Sequence, residues 1–226
     1  MVDRTDNDDP IRIGDPAPDF SVAAVHGDGD IWLADYTGRR SLLLGLFRGL
    51  HCPFCRRQVV MMGGYSERLG ELGVDSLAIV NTELDRARLY YGRQRPGMAL
   101  AVDPDWDTHR RYGLSHPKMT LGKTDWPKKI NPIAALTLRV NPTGDLPKGV
   151  APIRLNDVVN RIEGFELTAV DRKIKAAHGL TNAGFTLIDK DGIVRWRWLE
   201  GAGGFADIAK FPPRDDIIAA VAAAQG

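Results

Sequence analysis

The stretch Ser41-Leu42-Leu43-Leu44-Gly45-Leu46-Phe47 carries no polar residue after Ser41, as expected of a strand covered on both faces of a sheet. Such a strand is interior, and it points to an α/β chain with helices on both sides of a central sheet. Directly after it come Cys52 and Cys55, the only two cysteines among 226 residues. Val59, Met62, Ser66, Leu69 and Leu72 follow at steps of three and four, with Gly73 placed to end the run. The spacing predicts a helix over Cys52–Leu72 with the cysteine pair at its head. Gly63-Gly64 in its middle predicts a kink or a close backbone approach.

Val74 to Val80 reads as a second strand, so a parallel, right-handed strand-helix-strand unit is expected. Upstream, Ser21–Val25 and Ile31–Leu33 flank His26-Gly27-Asp28-Gly29-Asp30, a hairpin signal. Downstream, Thr82 to Arg93 reads as helix, Leu100 to Val102 as strand, and Asp105 to Tyr112 as helix ending at Gly113. Phe185–Ile188 and Ile193–Trp198 bracket Asp189-Lys190-Asp191-Gly192, a second hairpin, and Arg214–Ala224 is expected to close the chain as a helix. Between Leu114 and Thr181 the chain is rich in Pro, Lys and Asn and then becomes helical, with Thr168 and Asp171 spaced as a capping box and Gly179 at the end.

The pair Cys52-Pro53-Phe54-Cys55 suits thiol-disulfide chemistry. Exposed N–H groups at a helix start favour a thiolate, the reacting form of cysteine. Pro53 fits the first helical turn, where its missing N–H costs nothing. Cations nearby would depress a sulfur's pKa further, and Arg48 is the better candidate, whereas Arg56 and Arg57 are expected to point to solvent. One cysteine would attack and the other resolve the mixed disulfide or sulfenic acid.

Other chemistries fit less well. A structural zinc site wants four ligands, and the five histidines (His26, His51, His109, His116 and His178) are scattered without a metal spacing. Two inert core cysteines are the bland alternative. Asp103, Asp105 and Asp107 alternate as in a calcium loop, but Thr108 and Leu114 stand where glycine and glutamate are needed. Gly201-Ala202-Gly203-Gly204 lacks the spacing of a phosphate or dinucleotide loop and is read as a flexible connection. A formal charge of +1 supplies no surface for nucleic-acid phosphates. The acidic start Met1–Pro10 is read as a disordered lead-in and not a secretory signal. No run of 18 apolar residues suggests a membrane span, and a reducing, cytoplasmic setting is expected.

Gly14-Asp15-Pro16-Ala17-Pro18-Asp19-Phe20, the first hairpin, Leu42 to Phe47, the cysteine pair and Phe185 to Gly192 together resemble the peroxiredoxin branch of the thioredoxin-fold proteins. That branch is the alkyl hydroperoxide reductase and thiol-specific antioxidant family. The likeness covers residues 11–113 and 180–224, which makes about 115–180 an insertion. It implies a three-layer α/β thioredoxin-like fold with an N-terminal β-hairpin, formed by a single domain over 11–226. It also implies a Cys52/Cys55 dithiol that reduces a small hydroperoxide and is recharged by a thiol reductant. No cofactor or metal is implied, and a homodimer is compatible with it.

The motif departs from the family pattern. Pro-x-x-x-Thr-x-x-Cys slid onto this chain puts its proline at Arg48, its threonine at Cys52 and its peroxide-attacking cysteine at Cys55. The family's arginine before the late strand is replaced by Asn182 or a near neighbour. By the thioredoxin template, which the pair also resembles, Cys52 is the exposed attacking thiol and Cys55 the buried resolver. That template wants a cis-proline before the late strand, and Thr181-Asn182-Ala183-Gly184 holds none. The alternatives are a thioredoxin-like reductase of protein disulfides and a non-catalytic redox-sensing or binding module.

Overall fold

The computed structural model describes residues 11–92, 97–114 and 116–224. The lead-in at 1–10 and the expected helix end at Arg93 lie outside them. Strands β1 (Ser21–Ala24) and β2 (Asp30–Trp32) form the first antiparallel hairpin, turned by Gly27 and Gly29, both at φ of 90°. Strand β3 (Ser41–Phe47) runs into helix α1 (Pro53–Glu71), then β4 (Val74–Val80), parallel to β3. Helix α2 (Leu84–Tyr91), strand β5 (Ala99–Val102) and the short α3 (Asp107–Arg111) follow.

The segment from 116 to 180 has structure of its own. Its strands β6 (Lys118–Met119) and β7 (Lys129–Ile130) pair in parallel, and helices α4 (Pro132–Thr137), α5 (Pro152–Ile162) and α6 (Ala169–His178) follow. Thr168 and Asp171 do form a capping box, and Gly179 is the C-cap of α6. The late hairpin is β8 (Gly184–Ile188) with β9 (Val194–Leu199), and α7 (Arg214–Ala223) closes the described chain.

The seven-stranded sheet has the order β2-β1-β5-β4-β3-β8-β9. Strand β3 is interior, parallel to β4 on one side and antiparallel to β8 on the other, as its unbroken apolar run predicts. Alternation divides that run between two cores. Leu43 and Phe47 join Val59, Met62, Leu69 and Val221 under α1 and α7, while Leu42, Leu44 and Leu46 join Phe20, Leu33, Trp106 and Tyr112 on the far face.

Helix α1 is continuous through Gly63-Gly64. The chain at Gly97 approaches it there, with Ser66 Oγ donating to both the Gly63 and Gly97 carbonyls at 2.8 and 2.9 Å, and a second tight point is Gly45, where an added Cβ would come 2.7 Å from the Phe47 ring and 2.9 Å from Met62 Sδ. A side chain at Gly45 would therefore press on Met62 of α1 and on the Phe47 ring. The five histidines are not all scattered either. His109 and His178 stack on Trp106 at 4.1 and 5.1 Å between centroids, and His116 Nε2 lies 2.8 Å from His178 Nδ1. The two ends of the 116–180 segment thus meet beside α3. Among the described residues no helix is long and apolar enough to cross a membrane.

Because the atoms around Gly45 belong to packed core side chains, Gly45→Ala is expected to cost about 1–3 kcal/mol by overpacking. Urea unfolding with an unchanged m-value would register it, and a wild-type midpoint would refute the tight contact.

Candidate active site

Strand β3 ends at Phe47, and the chain turns through Arg48-Gly49-Leu50-His51 into α1. Gly49 is needed in that turn, since a Cβ there would sit 2.4 Å from the Asn81 carbonyl oxygen. Cys52 is the N-cap of α1, with extended backbone (φ −94°, ψ 105°), and Pro53 opens the helix behind it. The Cys55 N–H, one of the donors a helix start leaves unpaired, points at Cys52 Sγ at 3.2 Å. The sequence spacing therefore brings the two sulfurs together.

Arg48 is almost fully enclosed, at 2% exposure. Its Nη1 donates to the Thr181 carbonyl at 2.8 Å and its Nη2 to Glu200 Oε1 at 2.7 Å, leaving Nε–H buried without an acceptor. Glu200 is fully buried and accepts two more bonds, from the Ala209 N–H at 2.6 Å and the Ala183 N–H at 3.0 Å. Sequence reasoning missed Glu200 altogether. It follows the Trp-rich strand β9 with no motif around it, so only the fold reveals that it faces Arg48.

The two thiols are driven apart electrostatically. Burial alone would raise the Cys52 thiol, but its hydrogen bond with the Cys55 thiol, the Arg48 guanidinium and the Cys55 N–H outweigh this and bring it down to about 7. Burial pushes the Cys55 thiol well up, and the hydrogen bond and charge of Cys52 add to that. The hydrogen bond between the thiols and the Cys55 N–H favour the thiolate on Cys52.

Neither sulfur is open to solvent. Cys52 is 0% and Cys55 1% exposed, which corrects the expectation of an exposed Cys52. Trp126, Val140, Leu146, Leu155 and Val159 of the 116–180 segment belong to the same buried cluster as both cysteines, and Asn160 donates to the His51 carbonyl beside Cys52. Arg56 is a second correction. Rather than facing solvent it is buried, donating to Leu50 O, Asn160 Oδ1 and Glu163 Oε2 and stacking 3.7 Å over the Phe165 ring. Arg57 stays half exposed but pairs with Glu163 at 2.7 Å.

Gly201 also serves more than flexibility. At φ of 72° it passes under the Trp126 indole, which a Cβ would approach to 2.5 Å, so that Trp126 Nε1 can donate to the Glu200 carbonyl at 3.3 Å. Asp103, read as a failed calcium ligand, accepts from the backbone N–H groups of Asp107 and His109 and lies 2.6 Å from His109 Nδ1. No group of three or more metal-ligating side chains exists among the described residues.

A seven-stranded mixed sheet with a cysteine pair capping the helix behind an interior strand defines a thioredoxin-like fold. The AhpC/TSA family model matches residues 13–197, and the chain belongs to that family. Solved structures similar to it include a reduced 2-Cys peroxiredoxin of Plasmodium vivax, at 14% identity and a TM-score of 0.58, over 96% of this chain and 83% of that one. Others are peroxidoxin BcpB of Mycobacterium tuberculosis (12%, TM-score 0.55, 94% and 97% covered) and a putative thiol:disulfide interchange protein DsbE from Chlorobium tepidum (16%, TM-score 0.51, 96% and 99% covered). No curated protein matches it in sequence. The chain is a peroxiredoxin-like thiol oxidoreductase.

His51 gives the site a pH signature. Its ring is buried with both nitrogens unpartnered, and burial, then Arg48, Lys175 and Arg56 against an opposing Asp171, lower its pKa to about 3. An unfolded histidine titrates near 6.5, so between those values the unfolded chain holds more protons. Stability is then full above about pH 6.5 and falls as the pH drops toward 3. Burial also lowers His116 and His178, which add the same sign. His51→Leu is expected to flatten the decline in urea midpoint between neutral and mildly acidic pH. An equal decline in that variant would remove His51 as its source.

Proposed function

We propose that this chain reduces small hydroperoxides, with Cys52 as attacking sulfur, Cys55 as resolver and Arg48 as the cation that stabilises the thiolate. The observation that carries this reading is Cys52 at the N-cap of α1, receiving the Cys55 N–H and facing a buried guanidinium with an unused Nε–H. A donor buried without a partner is costly, and an oxygen of the bound peroxide would satisfy it while charge builds on the leaving group.

The steps balance. The Cys52 thiolate attacks one peroxide oxygen, the S–O bond forms as the O–O bond breaks, and the departing alkoxide takes a proton from solvent to leave as an alcohol. Cys55 then attacks the sulfenic sulfur. The S–S bond forms, the S–O bond breaks, and the hydroxyl leaves as water with the Cys55 proton. An external dithiol returns both cysteines to thiols by exchange and becomes a disulfide itself. A reducing compartment such as the cytoplasm suits this cycle.

The second reading, a reductase of protein disulfides, uses the same attacking sulfur. In its favour stands that Cys52, rather than the Cys55 that the peroxiredoxin pattern selects, is the lower-pKa thiol. Against it stands the burial of both sulfurs, which admits a peroxide more readily than a protein.

Cys52→Ser should abolish oxidation by hydrogen peroxide, whereas Cys55→Ser should oxidise once and hold a sulfenic acid on Cys52 that a dimedone probe captures. Mass spectrometry of the labelled peptide decides. A sulfenic acid on Cys55 in the Cys52→Ser variant would reverse the roles, and loss of all peroxide reactivity in the wild type would end the reading.

A further inference from the structure

Asn160 of α5 and Glu163, its C-cap, bracket the cysteine motif. Asn160, 4% exposed, donates from Nδ2 to the carbonyl of His51 at 2.8 Å, the residue before Cys52. Its Oδ1 accepts from Arg56 Nη1 at 2.9 Å, the residue after Cys55. One turn further, the Glu163 carboxylate takes Arg56 Nη2 at 2.5 Å on one oxygen and Arg57 Nε and Nη2 at 3.0 and 2.7 Å on the other. The apolar side of the same helix, Leu155 and Val159, belongs to the buried cluster that also contains both cysteines.

Arg56 is the keystone of this contact. Its guanidinium also donates to Leu50 O at 2.5 Å and lies on the Phe165 ring just beyond the helix. The polar groups that fasten α5 are therefore the backbone and side chains of the motif itself. Both sulfurs are buried beside this contact, so a protein disulfide would have to displace covering chain to meet Cys52, whereas a peroxide needs only a gap of a few atoms.

We infer that Asn160 and Glu163 are specificity-determining residues, which hold α5 across the dithiol so that it reacts with small hydroperoxides and excludes disulfides carried on proteins. This rests on the proposed hydroperoxide reaction for its positive half. The exclusion half concerns access alone. A charge-assisted hydrogen bond lost at Asn160 or Glu163 makes α5 easier to lift, and the gain falls on the large substrate because the small one never required the lift.

The test compares oxidation of the reduced full chain by hydrogen peroxide and by the disulfides of insulin, both followed by mass spectrometry of the Cys52–Cys55 disulfide. For Glu163→Gln and Asn160→Ala the ratio of insulin to peroxide rate constants should rise about tenfold over wild type, equivalent to about 1.4 kcal/mol. Arg161→Ala, on the exposed side of the same helix, should leave the ratio unchanged. Thermal unfolding checks that each variant is folded, and the conservative Glu163→Gln decides if Asn160→Ala is not. An unchanged ratio in folded Glu163→Gln, or a wild type that reacts with insulin as fast as its variants, overturns the inference. A wild type inert to peroxide ends the proposed function instead, and the insulin rates alone still report whether α5 bars access.

Discussion

The buried pair of Arg48 and Glu200 is the interaction on which the rest of the site depends. Taking two such ions out of water costs several kcal/mol each, and their attraction offsets this only when the remaining donors and acceptors are filled. Here nearly all are. Thr181 takes one guanidinium nitrogen, and the N–H groups of Ala183 and Ala209 fill the carboxylate. The pair thereby ties the end of β3 to the entrance of β8, the exit of β9 and the loop before α7. It also acts on both sulfurs alike, because Arg48 lowers both thiols and Glu200 raises both, while their mutual hydrogen bond separates them.

Arg48 lies beside the segment where the sequence departs from the peroxiredoxin pattern. Asn182 stands near where the family pattern has an arginine before the late strand, and the Arg48 guanidinium lies next to this segment. It arrives from β3 and touches the neighbouring Thr181 carbonyl. A cation favours a nearby thiolate from whichever segment it arrives.

Much of the fold could be read from the sequence because its causes are local. The apolar run of β3, the glycine-rich turns of both hairpins, Pro53 at a helix start and the Thr168–Asp171 box are short-range signals, and each became the element it suggested. What could not be read depends on distant partners. Arg48 meets Glu200 152 residues away, and Arg56 meets Glu163 107 away. An arginine on a first helical turn looks solvated until α5 is laid against it. Asp171 shows the same division in one residue. Its capping role is written in the local spacing, but its buried ion pair with Arg86 of α2, 2.8 Å apart, is not.

The carbonyl of Phe47 immediately precedes Arg48, and it is gripped from two directions. It accepts the Asn81 N–H at 3.0 Å, and His109 Nε2 stands 3.1 Å away, its other ring nitrogen anchored on Asp103. His109 stacks on Trp106 in the far-face core, so it reaches this carbonyl from behind the sheet. The root of the guanidinium is thus clamped by a residue that never approaches the sulfurs. Loosening His109 would act like slackening a bolt on the reverse of a hinge plate, altering the aim of Arg48 without touching any group in front of it.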